Sequence, residues 1–290
     1  MYKRSKAEIV FGVFNYAFLL LFGLTTLYPL WSTIVLSFST AADSAKGGFN
    51  FFTLHPTIQA YQVLIQKDEI WTAYGITILR TIIGTFTSVL VTAMYAYPLA
   101  RRNMPLKKFF SVFLIITMLF NGGMIPTYLV IKGLHLLDNF WVYILPGLIS
   151  AYNAIILRNY FAGLPESVIE SALIDGASEI KIFIKMIIPM SMPALATVAL
   201  WNAVANWNAW FDSMLYFNDS TKQVLQLFLQ RMLSSTQPAA DRVFEGQQVL
   251  YSDKTLQAAT IVVAVLPMLV IYPFIQKYFV KGITLGSVKG

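Results

Sequence analysis

Apolar residues run along this chain in six long blocks, separated by shorter segments in which polar and charged residues collect. A bilayer core is about 30 Å thick and takes about 20 helical residues to cross. Windows of that length predict spans at Phe11 to Leu36, Thr77 to Leu99, Phe109 to Ile131, Phe140 to Phe161, Pro193 to Leu215 and Leu256 to Tyr278. The pattern predicts an all-α, polytopic membrane protein with six transmembrane helices, forming one transmembrane domain over residues 1–290. The first block is too long for a signal-peptide core and shows no small-residue cleavage site, so it is expected to stay as a helix.

Composition agrees: 57% of residues are hydrophobic and 12% charged, against about 25% charged in soluble domains. With the N-terminus in the cytoplasm, thirteen Lys and Arg fall in inner segments and seven in outer loops, with Arg80 inside a span. That asymmetry predicts two cytoplasmic termini. It also turns the net charge of +7 into a topology signal, so no nucleic-acid partner is expected. No cysteine is present to brace an outer loop by a disulfide.

One polar segment has a helical period of its own. In residues 163–189, between the fourth and fifth blocks, Val168, Ile169, Ala172 and Leu173 share one helical face, and Ile180, Phe183, Ile184 and Ile187 share another. Between them stands Asp175-Gly176, where glycine admits a turn and either Asp175 or Ser178 can cap the second helix. Pro165 suits the first helix start and Pro189 the second helix end. Two short amphipathic helices joined at a bend are expected in the cytosol. Such helices often lie on the membrane interface.

The string E-S-A-x-x-D-G-A-S-x-x-x-x-F, followed by Ile187-Ile188-Pro189, resembles the E-A-A loop of membrane permease subunits in ATP-binding-cassette importers. The matching residues are Glu170, Ala172, Asp175, Gly176, Ala177, Phe183 and Pro189, with Ser171 in place of the usual alanine. The ending "VKGITLGSVKG" resembles the maltose-type carbohydrate branch, and "FNGGMIPTYL" with "WNAVANWNAWFDSMLY" resembles its oligosaccharide importers. The resemblance implies a coupling loop seated in an ATPase subunit, a second and different permease subunit, two ATPase subunits that bind ATP and Mg, and an extracellular solute-binding protein. It implies a bacterial cytoplasmic membrane and import of an oligosaccharide by alternating access. Another solute, a peptide or amino acid, is the alternative within that class.

No phosphate-binding G-x-x-x-x-G-K-[ST] is present, so ATP chemistry is expected on a partner and no enzyme activity here. His55 and His135 fall in separate outer segments, and no metal site is expected. An ion-coupled transporter would need an acidic or histidine relay well inside the spans, and none stands there.

A sugar route needs hydrogen-bonding groups and aromatic rings at membrane depth. Asn202, Asn206 and Trp210 follow i, i+4, i+8 spacing, with Trp207 beside them. Trp as an interface anchor and Asn as helix glue are the competing readings. Asn121-Gly122-Gly123 before Pro126 is expected to break the third span, at a gate or a packing kink. Arg80 either attracts an acidic sugar or snorkels to the headgroups. The outer loop 217–254 carries mixed charge, which suits a solvated face; by resemblance it meets the binding protein.

Overall fold

The computed structural model describes residues 5–46, 48, 51–234 and 251–287, with side chains of the last helix described up to Ile271. Among these residues the chain is helical, with no strand. The helices are α1 Lys6–Ser37, α2 Ala41–Ala45, α3 Gln59–Ile65, α4 Asp68–Ala100, α5 Lys107–Leu119, α6 Met124–Gly133, α7 Ala151–Ala162, α8 Glu166–Ile174, α9 Glu179–Ile182, α10 Ile188–Met190, α11 Met192–Asn208, α12 Phe211–Tyr216, α13 Leu225–Ser234 and α14 Asp253–Ser287.

Three described helices are long and apolar enough to cross a membrane, α1, α4 and α14, and three bent pairs bring the number to six if each pair is one span. The bends follow local chemistry. Between α5 and α6 the axis turns by 113° at Asn121-Gly122-Gly123, where Gly123 has φ +88° and the Asn121 side chain accepts from its N–H at 2.9 Å. The expected break is there. The fourth block departs from a continuous α-helix: Phe140–Tyr143 and Leu145–Gly147 are 3₁₀ turns, bent by 52° from α7. Pro146 cannot donate to a helix, and Gly147 gives it little support. The fifth block also differs, because α11 ends at Asn208 and extended backbone at Ala209 separates it from α12.

Contacts divide the chain into two compact units, one of residues 1–68 and 229–266, the other of 69–228 and 267–290. In the first, α1 opens with a capping box. Ser5 Oγ accepts from Glu8 N at 3.2 Å and Glu8 Oε2 from Ser5 N at 2.7 Å, satisfying N–H groups that a first turn leaves free. The apolar side chains of α1 from Ile9 to Leu27 are exposed, as a helix meeting lipid or another apolar partner requires.

The second unit holds the predicted sites. One core cluster joins Ala93, Ala96 and Tyr97 of α4, Leu157 and Phe161 of α7, Ile169 and Ala172 of α8, Ile182, Phe183 and Ile187 of the following segment, and Leu195 and Val198 of α11. A second gathers Val142, Tyr143, Tyr216, Phe217, Val224 and Leu227.

Candidate functional site

Residues 165–190 form the predicted bent pair. Pro165 stands at the N-cap of α8, one residue before the first helical turn. At the other end the Gly176 N–H reaches Leu173 O at 3.0 Å and the Ala177 N–H reaches Ala172 O at 2.9 Å. This pair of bonds is a Schellman ending, which places its penultimate residue in the left-handed region. Gly176 has φ +73°, and a Cβ there would meet nothing within 4 Å, so the requirement for glycine is conformational and not spatial. Ser178 then caps α9, its Oγ accepting from Lys181 N at 3.4 Å.

The buried face of the second helix is not the one its spacing predicts. Ile182 is 0% exposed and Phe183 and Ile187 are buried, whereas Ile180 is 72% and Ile184 56% exposed. Phe183–Ile187 winds as a π turn. That wider turn shifts the register of the following side chains. Pro189 does not end the helix; winding continues to Met190, and Ser191 begins an 81° bend into α11.

Polar contacts tie the loop to the end of α4. Tyr97 Oη donates to Glu179 Oε2 at 2.7 Å, Arg101 lies 3.6 Å from Glu179, and Arg102 lies 3.2 Å from Glu166. The Tyr97 ring meets Phe183 at 5.3 Å between centroids. Tyr97, Arg101 and Arg102 escaped the motif, although they stand at the end of the second apolar block. Of the motif residues, Ala172 and Phe183 face inward, Ala177 is half-buried, and Glu170, Asp175, Gly176 and Pro189 are exposed.

The polar residues of the fifth block are separated. Asn202 and Asn206 lie on α11 against α4: Ser88 Oγ donates to Asn202 Oδ1 at 3.5 Å, and a Cβ on Gly84 would stand 3.2 Å from Asn206 Nδ2. Trp207 is buried, its ring edge-on to Tyr74 at 6.3 Å. Trp210 does not continue their face, because the helix has ended; it stands at the head of α12. No Gly or Pro marks that break in the sequence. Asn121 is exposed at the break of the third block.

Arg80 does not snorkel. It is 4% exposed. Its Nη1 donates to Asp212 Oδ1 at 3.1 Å and to Ala209 O at 3.3 Å, its Nη2 bonds Asp212 Oδ2, and its guanidinium lies 4.6 Å from the centre of the Tyr143 ring. A charge-assisted fork replaces the headgroup contact. Asp212 went unread, yet a signal existed: it is the one acidic residue within any predicted span.

Outside these blocks, Asp138 accepts from Asn218 N at 2.8 Å and Asp219 N at 3.3 Å, and these backbone donors hold its carboxyl below the ordinary carboxylate range. No cluster of three potential metal ligands occurs among the described residues. Asp241, Arg242 and Glu245 of the expected outer loop lie outside the described residues, as do the side chains of the ending from Val280.

Residues 78–285 match the family described as "binding-protein-dependent transport system inner membrane component". The chain is 40% identical over 97% of its length, and 99% of the relative's, to the polygalacturonan/rhamnogalacturonan transport system permease protein YtcP of Bacillus subtilis (strain 168). It is 26% identical, over 100% of both chains, to the arabinooligosaccharides transport system permease protein AraQ of the same organism. Its fold matches a chain in the crystal structure of a bacterial ABC transporter involved in the import of the acidic polysaccharide alginate, with a TM-score of 0.89 and 32% identity, covering 96% of this chain and 100% of that one.

Proposed function

The chain belongs to the family of binding-protein-dependent transport system inner membrane components, and we propose from that premise that it is the permease subunit of an ATP-driven oligosaccharide importer in a bacterial cytoplasmic membrane. Members of this family are membrane subunits and not enzymes; hydrolysis belongs to separate ATPase subunits. In our reading two such subunits, holding ATP and Mg, a second and different permease subunit, and an extracellular solute-binding protein complete the assembly.

The observation that carries this reading is the bent pair at 165–190. Its apolar face is committed to protein: Ile169, Ala172, Ile182, Phe183 and Ile187 lie in the core with α4, α7 and α11. A helix resting on a lipid interface would bury that face in lipid instead. The outward residues include Glu170, Ile174, Asp175, Ile180, Lys181 and Lys185, a mixed apolar and charged surface suited to a protein cleft. Ile174 is 86% exposed. We assign Glu170, Ala172, Asp175, Gly176, Ala177, Phe183 and Pro189 to coupling: the exposed members contact the ATPase, and the buried ones carry its displacement into α4 and α11.

For the sugar route we assign Asn202, Asn206 and Asn121, with Trp207 and Trp210 shaping its wall. Support comes from the concentration of amide and indole groups in otherwise apolar blocks, where such groups mark function. The names of the relatives support a carbohydrate, and those of YtcP and the alginate importer an acidic one.

The test is co-purification. The full chain, isolated in detergent from its native membrane, is expected to bring an ATPase subunit with it, and Glu170→Lys to lose that subunit while inserting normally. Retention of the ATPase at the parental ratio by Glu170→Lys and Ile174→Asp together would remove the coupling assignment.

A further inference from the structure

The end of α11 leaves a problem that the neighbouring side chains solve. At Ala209 the backbone turns extended, so its carbonyl has no helical donor. Inside a membrane such a group has to be satisfied by protein or water. Arg80 of α4 supplies the donor at 3.3 Å and, with the same guanidinium, grips Asp212 in the first turn of α12. The Tyr143 ring beneath it extends the network. Its hydroxyl is 2.8 Å from Ser213 Oγ and donates to Lys222 O at 2.9 Å, and Ser213 Oγ accepts from Val224 N at 3.2 Å. One turn before Arg80, Thr77 Oγ1 accepts from Leu225 N at 2.9 Å. Six bonds therefore run from α4 and the Phe140–Tyr143 turn to residues 209–225.

We propose that Arg80 is a positioning residue. It fixes the direction in which the chain leaves α11 and makes the start of the outer loop, from Phe217 to Leu225, move as one body with α4. The functional consequence rests on the reading of residues 217–254 as the loop that meets the binding protein. Docking there would then be transmitted to α4, the helix that at its far end carries Tyr97, with Arg101 one residue beyond that end, against the coupling segment. Arg80 is not a receptor for an acidic sugar, since Asp212 already neutralises it and its head is shielded from water. Its guanidinium serves the carbonyl, the carboxylate and the ring together, which a lysine ammonium, a point charge without the planar fork, does not reproduce.

The chain has no cysteine, so Glu69→Cys on α4 and Ser220→Cys in the loop, both at exposed positions, take spin labels without further change. The protein is purified with its bound subunits and the distance between labels is measured. The parent is expected to give one narrow distribution, and Arg80→Gln, Arg80→Lys and Asp212→Asn to broaden it severalfold. In proteoliposomes the same variants are expected to need a severalfold higher concentration of binding protein for half-maximal stimulation of ATP hydrolysis. If the charge variants fail to assemble, Tyr143→Phe and Thr77→Val, each removing only part of the network, are expected to broaden the distribution. A distribution as narrow as the parent's in every variant that assembles overturns the proposal. Broadening without any change in the response to binding protein keeps the clamp and removes instead the reading of the loop as its docking site.

Discussion

The two ends of α4 are held by opposite means. Near Tyr97 the bent pair is seated mainly by apolar side chains, with Ile182 sealed inside and charges left on the surface. Near Arg80 a comparable stretch of irregular chain is held by a buried ion pair, a ring and backbone carbonyls. Apolar contact is non-directional and tolerates small displacement, whereas a guanidinium fork is satisfied in few geometries. The first end suits a segment that a partner pushes. The second suits one that must keep its angle.

Removing Asp212 is the most severe way to break this contrast, because it leaves the Arg80 charge buried alone. Asp212→Leu is expected to lower stability by about 3–5 kcal/mol, while Arg80→Leu with Asp212→Leu recovers a large part, since replacing a whole buried pair by apolar groups is often near neutral. Thermal unfolding in detergent, run as a double-mutant cycle, reads the coupling. Additive losses would mean that the two charges do not act as a pair.

At the other end two isoleucines two positions apart sharpen the comparison. Ile182→Ala empties a buried site and is expected to cost about 2–5 kcal/mol. Ile180→Ala, at an exposed site, is expected to stay within about 0.5 kcal/mol of the parent, yet to weaken retention of the ATPase. Equal stability losses would mean that α9 does not turn Ile182 inward and Ile180 outward.

Much of the first end was legible in the sequence and little of the second, and the reason is range. Gly176, Ser178 and Pro165 act within a few residues of themselves, so the bend could be read from spacing alone; Asn121-Gly122-Gly123 announced its own break for the same reason. The face of the second helix was misread because a π turn breaks the 3.6-residue period on which the spacing rests. Arg80 and Asp212 lie 132 positions apart, and no local pattern binds them. The only clue was arithmetic: one acid within all the predicted spans, and a base at the outer end of another. The break at Ala209 was invisible because tertiary contacts, not glycine or proline, satisfy its backbone.

Gly176 tests whether the bend itself matters, at a smaller expected effect. Gly176→Val places a β-branched side chain at φ +73°, with nothing within 4 Å of its Cβ, at a cost of about 1–2 kcal/mol. Gly176→Asn tolerates that backbone better and is expected to stay near the parent. ATP hydrolysis stimulated by binding protein is expected to fall for Val more than for Asn. If the two are equal, the left-handed turn is not what aligns the loop.

The smallest expected effect belongs to Asp138, just beyond the Arg80 network. Asp138 is itself left-handed, at φ +54°, and its carboxylate accepts from the N–H groups of Asn218 and Asp219, with Lys222 adding a favourable charge. These donors prefer the ionised form, so the pKa in the folded chain lies below its ordinary value of about 3.9. For a depressed carboxylate the stabilisation is complete above the ordinary pKa and disappears as pH falls through the folded one. A spin label at Ser220→Cys is therefore expected to keep one mobility through neutral pH and to loosen only on acidification below about pH 4. Asp219, whose pKa is likewise lowered, by its bonds to Thr221, would contribute a loosening of its own. Asp138→Asn separates the two: asparagine suits the left-handed backbone and keeps an acceptor oxygen but has no charge to lose. The acid-induced change is expected to shrink in Asp138→Asn and to persist in Asp219→Asn. The reverse outcome would place the acid sensitivity of this junction on the Asp219 turn, and leave Asp138 a hydrogen-bond acceptor whose charge does not matter.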